Sequence, residues 1–224
     1  ELCGALEVGG ITPGPGVLES VIANVNIPVN VMVRPRGGDF LYSDSEFEVM
    51  RRDIDFAREA GAAGIVLGIL LPDGTIDIDR TVYLVEYASP LEVTFHRAFD
   101  MTRDPLEALE ALVATGVSRL LSSGQCNSAF DGSGLLKKLV EIAGERIIIM
   151  PGAGLNEQNI AEVVRFNGAN EYHLTGRKVV ESGMQYRRQG IALGHPLMID
   201  DEYQQRYTDT DRIAKVKELL SSFH

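Results

Sequence analysis

The chain has 224 residues, 45% hydrophobic and 24% charged, which fits one domain of the larger single-core kind, burying roughly 70% of its unfolded surface. A net charge of −11 and a pI near 4.8 argue against non-specific nucleic-acid binding, which needs a positive footprint. No apolar run approaches the ~20 residues of a membrane span, no signal peptide is visible, and Cys3 and Cys126 have no CxxC spacing and suggest no disulfide framework. The expectation is a cytoplasmic protein with no membrane contact.

Seven short apolar segments recur along the chain. Their centres lie near Leu2, Met32, Leu67, Thr94, Leu121, Ile148 and His173, about 25 to 35 residues apart, which is room for a strand, a helix and two short loops. Most change abruptly from Val, Ile and Leu to polar residues at their C-terminal ends, as in Val29–Arg36, Leu91–Asp100, Arg119–Gln125, Arg146–Gly154 and Glu171–Gly176. This pattern predicts a TIM-type (β/α)8 barrel, whose strand ends and following loops build the functional site.

The intervening helices carry their own punctuation. Ser45 and Glu48 predict a capping box, with Phe47, Met50, Ile54 and Ala57 on one apolar face and Gly61 as the stop. Asp104-Pro105 starts another helix, with Leu106, Leu109 and Leu112 inward and Gly116 after it. Asn156 is the expected cap of a helix running to about Phe166, before Gly168, and a last helix spans Asp211–Ser221. The stretch Arg177–Thr208 is Gly-rich and polar and reads as a long excursion after the last strand. Seven strands do not close an eight-stranded barrel, so residues 1–224 read as a single barrel domain lacking its first strand–helix unit of ~30 residues; the alternative is a fold of seven units.

Strand side chains alternate between the helix layer and the barrel axis. Placing Val29, Val31, Val33, Val93, Phe95, Leu120, Tyr172, Leu174 and Leu2 outward leaves Met32, Thr94, Glu1 and Glu171 inward. The same rule sends Cys3, Arg34, His96, Ser123 and His173 toward one mouth. Each has a plainer reading: Arg34 as an ion-pair partner of Glu1 or Asp100, either histidine as a hydrogen-bonded structural group, Cys3 as a small buried hydrophobe. Ser123 lacks a G-x-S-x-G elbow. His195 and His224 receive no role. Pro151-Gly152-Ala153-Gly154 and Thr175-Gly176 follow the last two strands, where barrels commonly bind phosphate with backbone N–H groups. With Arg34, Arg36 and Arg97 they predict an anion site at the mouth, suited to a small anionic ligand rather than a polymer.

The motifs Pro35-Arg36-Gly37-Gly38-Asp39-Phe40, Tyr42-Ser43-Asp44, Val93-Thr94-Phe95-His96-Arg97-Ala98-Phe99-Asp100, Ser123-Gly124-Gln125 and Pro151-Gly152-Ala153-Gly154 resemble the CutC family of copper homeostasis proteins. The resemblance covers nearly the whole chain from Glu1 to the last helix. It implies a TIM-type barrel in the cytoplasm, a homo-oligomer, and Cu(I) binding. It also implies that Cys3 matches one proposed copper ligand, the other lying in a strand that precedes this chain. Ser122 stands where many relatives have Thr, and Thr175 where many have Ser; both keep a hydroxyl.

Cu(I) prefers soft thiolate and thioether ligands, and the chain offers Cys3, a distant Cys126 and six Met residues without M-x-x-M clustering. A mouth lined by Arg34, Arg36 and Arg97 would repel a metal cation. Three functions follow. The first is a copper homeostasis protein with Cys3 as ligand, aided by His96 or His173. The second is a barrel enzyme acting on a small phosphorylated or carboxylated metabolite, with His96, Asp100 and His173 in acid–base roles and Arg34 holding the anion, assisted by Arg36, Arg97, Ser123, Gly152, Gly154, Thr175 and Gly176. The third is a structural oligomer, which leaves the polar mouth unexplained.

Overall fold

Five of the seven strand signals form one parallel sheet in sequential order: β1 (Asn30–Met32), β2 (Gly64–Leu67), β3 (Glu92–Phe95), β4 (Arg119–Ser122) and β5 (Ile148–Pro151). The structure, a computed structural model, describes residues 1–188, 190–191 and 202–223. His195, His224 and the middle of the 177–208 stretch lie outside the described residues. A helix follows or precedes each strand: α1 (Pro15–Asn24), α2 (Asp44–Ala60), α3 (Ile78–Ala88), α4 (Pro105–Thr115), α5 (Ser133–Ala143) and α6 (Ile160–Asn167). The result is a partial (β/α) barrel.

Register explains why the strands read as near-continuous apolar runs, since parallel strands are covered on both faces. Val31, Ile65 and Val93 are paired across β1–β3, and Phe95, Leu120 and Ile149 across β3–β5. All six belong to the buried core beneath the helices. The opposite face at the base of the barrel carries Arg119, which ion-pairs with Glu92 and, at 2.7 Å, with Glu171. Glu171 is inward, as alternation predicts, but serves the base of the barrel rather than its mouth.

The first and last strand signals differ from expectation. Leu2 makes a single parallel bridge to Val31, and His173 one to Gly152. The bridges are carried by Leu2 N–H to Asn30 O (2.8 Å) with Met32 N–H to Leu2 O (3.0 Å), and by His173 N–H to Pro151 O (2.9 Å), and Gly4 pairs antiparallel with Ile11. Among the described residues neither segment extends into a ladder. The described ends of the 177–208 excursion form a separate antiparallel pair, β6 (Arg177–Glu181) with β7 (Gln204–Thr208). Helix α7 (Thr210–Ser221), capped by Asp209, packs back beside α6. Among the described residues no helix is long and apolar enough to cross a membrane.

Two helix starts shift from the sequence reading. The capping box of α2 is Ser43 with Glu46, not Ser45 with Glu48: the Glu46 carboxylate accepts from Ser43 N–H at 2.7 Å, and Glu46 N–H donates back to Ser43 Oγ at 3.3 Å. Asn156 does not cap α6. Its Oδ1 accepts from Gln158 N–H inside a preceding turn, and the helix begins four residues later at Ile160. Gly61, Asp104-Pro105, Gly116 and Gly168 punctuate the chain as read.

Loss of the α2 cap should cost about 1 kcal/mol. Urea unfolding should therefore show Ser43→Ala destabilised by that amount, with Ser45→Ala within ~0.5 kcal/mol of the parent. Equal effects would place the cap at Ser45.

Candidate functional site

At the C-terminal end of the sheet the barrel opens into a cavity of about 390 Å³ lined by Met32, Arg34, Phe40, His96, Leu121 and His173, among others. Met32 and Leu121 sit in β1 and β4, Arg34 and His96 just past the ends of β1 and β3, and His173 in its bridge segment, all with the inward parity, whereas Phe40 comes from the loop between β1 and α2. The floor is apolar and cationic at once.

Arg34 is 5% exposed and has no carboxylate within ion-pair distance among the described residues. Its Nη1 donates to Val8 O (3.0 Å) and Gly10 O (2.9 Å), and its Nη2 to Gly38 O (2.7 Å). The guanidinium lies 4.9 Å from the Phe40 ring centroid. Its Nε is buried without a partner. The expected pairing with Glu1 or Asp100 is absent: neutral carbonyl groups position the charge without cancelling it.

His96 is 4% exposed, and its ring centroid lies 5.0 Å from that of Phe40. Its Nδ1 accepts from Ala98 N–H at 3.2 Å, which leaves the proton of the neutral ring on Nε2. That Nε2 is buried and unpartnered. Burial, then the neighbouring Arg34 charge, push the His96 pKa down to about 3. The ring is thus a neutral hydrogen-bond donor at physiological pH. Glycine at position 68 is required for this seating, because a Cβ there would overlap the imidazole and approach Ala98 Cβ to 2.8 Å.

Asp100 is committed to the turn that follows β4. Its carboxylate accepts from Ser122 Oγ (2.6 Å), Ser123 N–H (3.0 Å) and Gln125 N–H (3.2 Å), and pairs with Arg97 Nε at 2.8 Å. Ser123 is fully buried. Its hydroxyl lies 2.8 Å from Asp100 Oδ2 and 2.6 Å from Cys126 O, and accepts from Arg97 Nη2 at 2.9 Å. Both residues hold the turn after β4 and aim Arg97, which does line the cavity. Ser123 is therefore a support, not an anion ligand.

Arg36 also leaves the anion set. It pairs with Glu46 at 2.6 Å and Asp39 at 3.0 Å and donates to Leu41 O at 2.8 Å, fastening its loop to the start of α2. Two of the glycines serve packing. Gly152 N–H donates to Ser122 O at 2.9 Å, and a Cβ there would sit 2.5 Å from Leu121 Cδ1. Gly176, at φ +50°, lies against Ile213 of α7. Gly154 and Thr175 do line the mouth. Ala153 and Gly154 have φ of +83° and +71°, and among the described residues no hydrogen bond takes up the N–H groups of Ala153, Gly154 or Leu155.

His173 lines the cavity, and burial lowers its pKa, with Glu1 opposing. The mouth further gains Phe40, Arg177 and Arg212, none of them singled out from sequence. Phe40 was visible inside the PRGGDF motif. Arg212 comes from α7 and is held by Glu157 at 3.0 Å and Arg177 O at 2.6 Å, a proximity no local pattern discloses.

Comparison with known proteins agrees with the motifs. The CutC family matches over residues 1–178. The chain belongs to the CutC family. It is 47% identical over 222 residues to the human copper homeostasis protein cutC homolog, covering 99% of this chain and 81% of that one. A CutC family protein of Mesorhizobium japonicum is 50% identical over 214 residues, covering 96% and 83% of the two chains. A solved CutC structure from Streptococcus agalactiae superposes with a TM-score of 0.73 at 36% identity, covering 77% of this chain and 85% of that one.

In this CutC chain the Cys3 thiol donates to the Glu1 carboxylate at 3.1 Å, and burial, then Glu1, push its pKa well up. It is half-buried beside Gly10, where a Cβ would lie 3.2 Å from Cys3 Sγ and 3.6 Å from Met32 Cε. Thiol and thioether side chains thus flank one glycine. Cys126 is exposed and contributes its carbonyl rather than its thiol to the Arg97 network. Among the described residues no three His, Cys, Asp or Glu side chains are grouped to hold a metal ion.

The buried neutral His96 makes stability depend on pH. In the unfolded chain it protonates near 6.5, whereas in the fold it resists protonation down to about 3. Below 6.5 the unfolded state therefore binds the extra proton, and stability falls as pH is lowered. Between pH 7 and pH 5 this should remove about 2 kcal/mol. Urea unfolding of the parent and of His96→Gln at both pH values should show the variant losing that much less; parallel losses would mean that His96 protonates freely in the fold.

Proposed function

We propose that the barrel mouth binds a small anionic metabolite, with a phosphate-type group at the rim formed by Ala153–Leu155, Thr175 and Arg177. The observation that carries this reading is Arg34: a buried guanidinium held by three carbonyl groups, with no carboxylate beside it. Removing such a charge from water is costly without an opposite charge, and Arg cannot lose its proton to escape that cost. An anionic ligand supplies the missing charge. Arg97 and Arg177 add positive potential at the rim, and the uncommitted N–H groups of the Ala153–Leu155 turn supply directed donors. The cavity of about 390 Å³ fits a metabolite of a few carbon atoms and excludes a polymer.

Inorganic phosphate should bind the purified protein with a dependence on ionic strength, as charge-driven binding requires. Gly154→Asp should weaken that binding at least tenfold by adding bulk and negative charge at a position with φ of +71°. Calorimetry that shows no phosphate binding at millimolar concentration, or an unchanged affinity in the variant, overturns this placement.

A second reading rests on the soft donors beside Gly10. Cys3 and Met32 offer a thiol and a thioether to Cu(I), in keeping with the name of the human relative. The Cys3 thiol is held protonated by burial and by Glu1, so metal binding must first displace that proton. This chain should therefore bind Cu(I) weakly at pH 7 and more tightly as pH rises, with Cys3→Ser removing most of the binding in a Cu(I)-chelator competition. Tight, Cys3-independent binding would locate copper elsewhere, Cys126 being the next donor.

A further inference from the structure

With the charged group of a ligand at the rim, the hydrogen-bonding capacity left in the rest of the cavity decides what its body can be. Little is left. Arg212 spends Nε and Nη2 on Glu157 (3.1 and 3.0 Å) and Nη1 on Arg177 O (2.6 Å). Asn156 donates through Nδ2 to Gly154 O (3.2 Å) and accepts through Oδ1 from Gln158 N–H (2.9 Å). Arg97 gives Nε to Asp100 (2.8 Å) and Nη2 to Ser123 Oγ (2.9 Å), leaving Nη1, a charged donor suited to the anion. Arg34 gives Nη1 and Nη2 to three backbone carbonyl groups, and its Nε and His96 Nε2 are closed to solvent. Glu1 is exposed, holds the Cys3 thiol and, as a carboxylate, repels an anion. The ring of His173 lines the cavity and takes part in no hydrogen bond among the described residues. It is one neutral imidazole.

Apolar side chains fill the remaining wall. Leu121 and His173 meet directly inside the Ala153–Leu155 rim, where a Cβ at Gly152 would lie 2.5 Å from Leu121 Cδ1 and 3.5 Å from His173 Cδ2. Met32 shares the inward parity in β1, Phe40 comes from its loop, and Leu155 and Leu174 line the cavity from the two rim segments. From this we infer that the ligand is an anion with an apolar carbon body, alkyl or aryl, and not a polyol phosphate. The inference rests on the anion reading and names the class of molecule within it. Each hydroxyl of a sugar or glycerol phosphate drawn into this space gives up water for methyl groups and ring faces, a cost that a single imidazole offsets once. A hydrocarbon body gives up no hydrogen bond and removes the surfaces of Leu121, Met32 and Phe40 from water.

The test compares phenyl phosphate, glycerol 3-phosphate and inorganic phosphate on the full chain, at a pH where each is a dianion. Calorimetry should show phenyl phosphate binding at least tenfold more tightly than glycerol 3-phosphate, with glycerol 3-phosphate no tighter than inorganic phosphate. All three should weaken together as ionic strength rises, leaving the ratio between the two esters unchanged. Phenyl phosphate alone should bind with a clearly negative heat-capacity change, the mark of buried apolar surface. Leu121→Asn should bring the ratio of the two esters toward one. A ratio below tenfold in the unmodified protein, or a heat-capacity change for phenyl phosphate no larger than that for inorganic phosphate, overturns the inference and leaves the phosphate rim intact. Failure of all three probes to bind overturns the anion reading and this inference with it. Should Leu121→Asn not fold, the heat-capacity comparison on the unmodified protein decides.

Discussion

A strand inside a parallel sheet gives each side chain one of two faces, and shifting a strand by one residue exchanges them all. In this barrel the face toward the helices is fixed by size and apolarity: Val31, Ile65, Val93, Phe95, Leu120 and Ile149 are buried there. Everything of opposite parity is then committed to the barrel axis. Arg34 and His96 reach the mouth because Val33 and Phe95 must not. The site is in this sense a by-product of core packing, and a slipped register would bury a guanidinium among leucines.

That logic made the inward residues legible from sequence, since period-two alternation survives without knowledge of neighbours. What each inward residue does was less legible, because hydrogen bonds across strands depend on distance in space. Asp100 and the Ser122–Ser123 turn are separated by more than twenty residues, yet the carboxylate accepts from both serines. Read locally, Asp100 stood beside a histidine; in the fold its carboxylate is taken up by the serine turn and Arg97. Arg36 shows the same effect, drawn from the mouth by Glu46.

The helix starts illustrate a different ambiguity. Ser43-Asp44-Ser45-Glu46-Phe47-Glu48 contains two overlapping S-x-x-E patterns, and propensity alone does not choose between them. Glu46 is also the partner of Arg36, so the loop preceding α2 is tied down at that residue, and the cap forms at Ser43. Asn156 fails as the cap of α6 for a related reason: Asn159 takes the Asn156 N–H and Gly154 O into its own side chain, closing a turn before the helix begins. At the two edges of the sheet the apolar signal was present, but among the described residues the pairing there consists of isolated bridges instead of ladders.

Desolvation is the common cause behind the chemistry of the mouth. Burial keeps His96 neutral and helps keep Cys3 protonated, so both of these titratable groups respond by not carrying charge. An arginine has no such response, because a guanidinium does not give up its proton inside a protein. The cavity floor is therefore cationic even though the chain carries a net charge of −11. Screening over roughly 8 Å at physiological ionic strength keeps the acidic exterior from cancelling that local field. A metal cation entering this space meets an uncompensated positive charge and a thiol that must first lose its proton. An anion meets the charge that the protein itself leaves unpaired, and this balance is the electrostatic ground on which the anion reading is proposed.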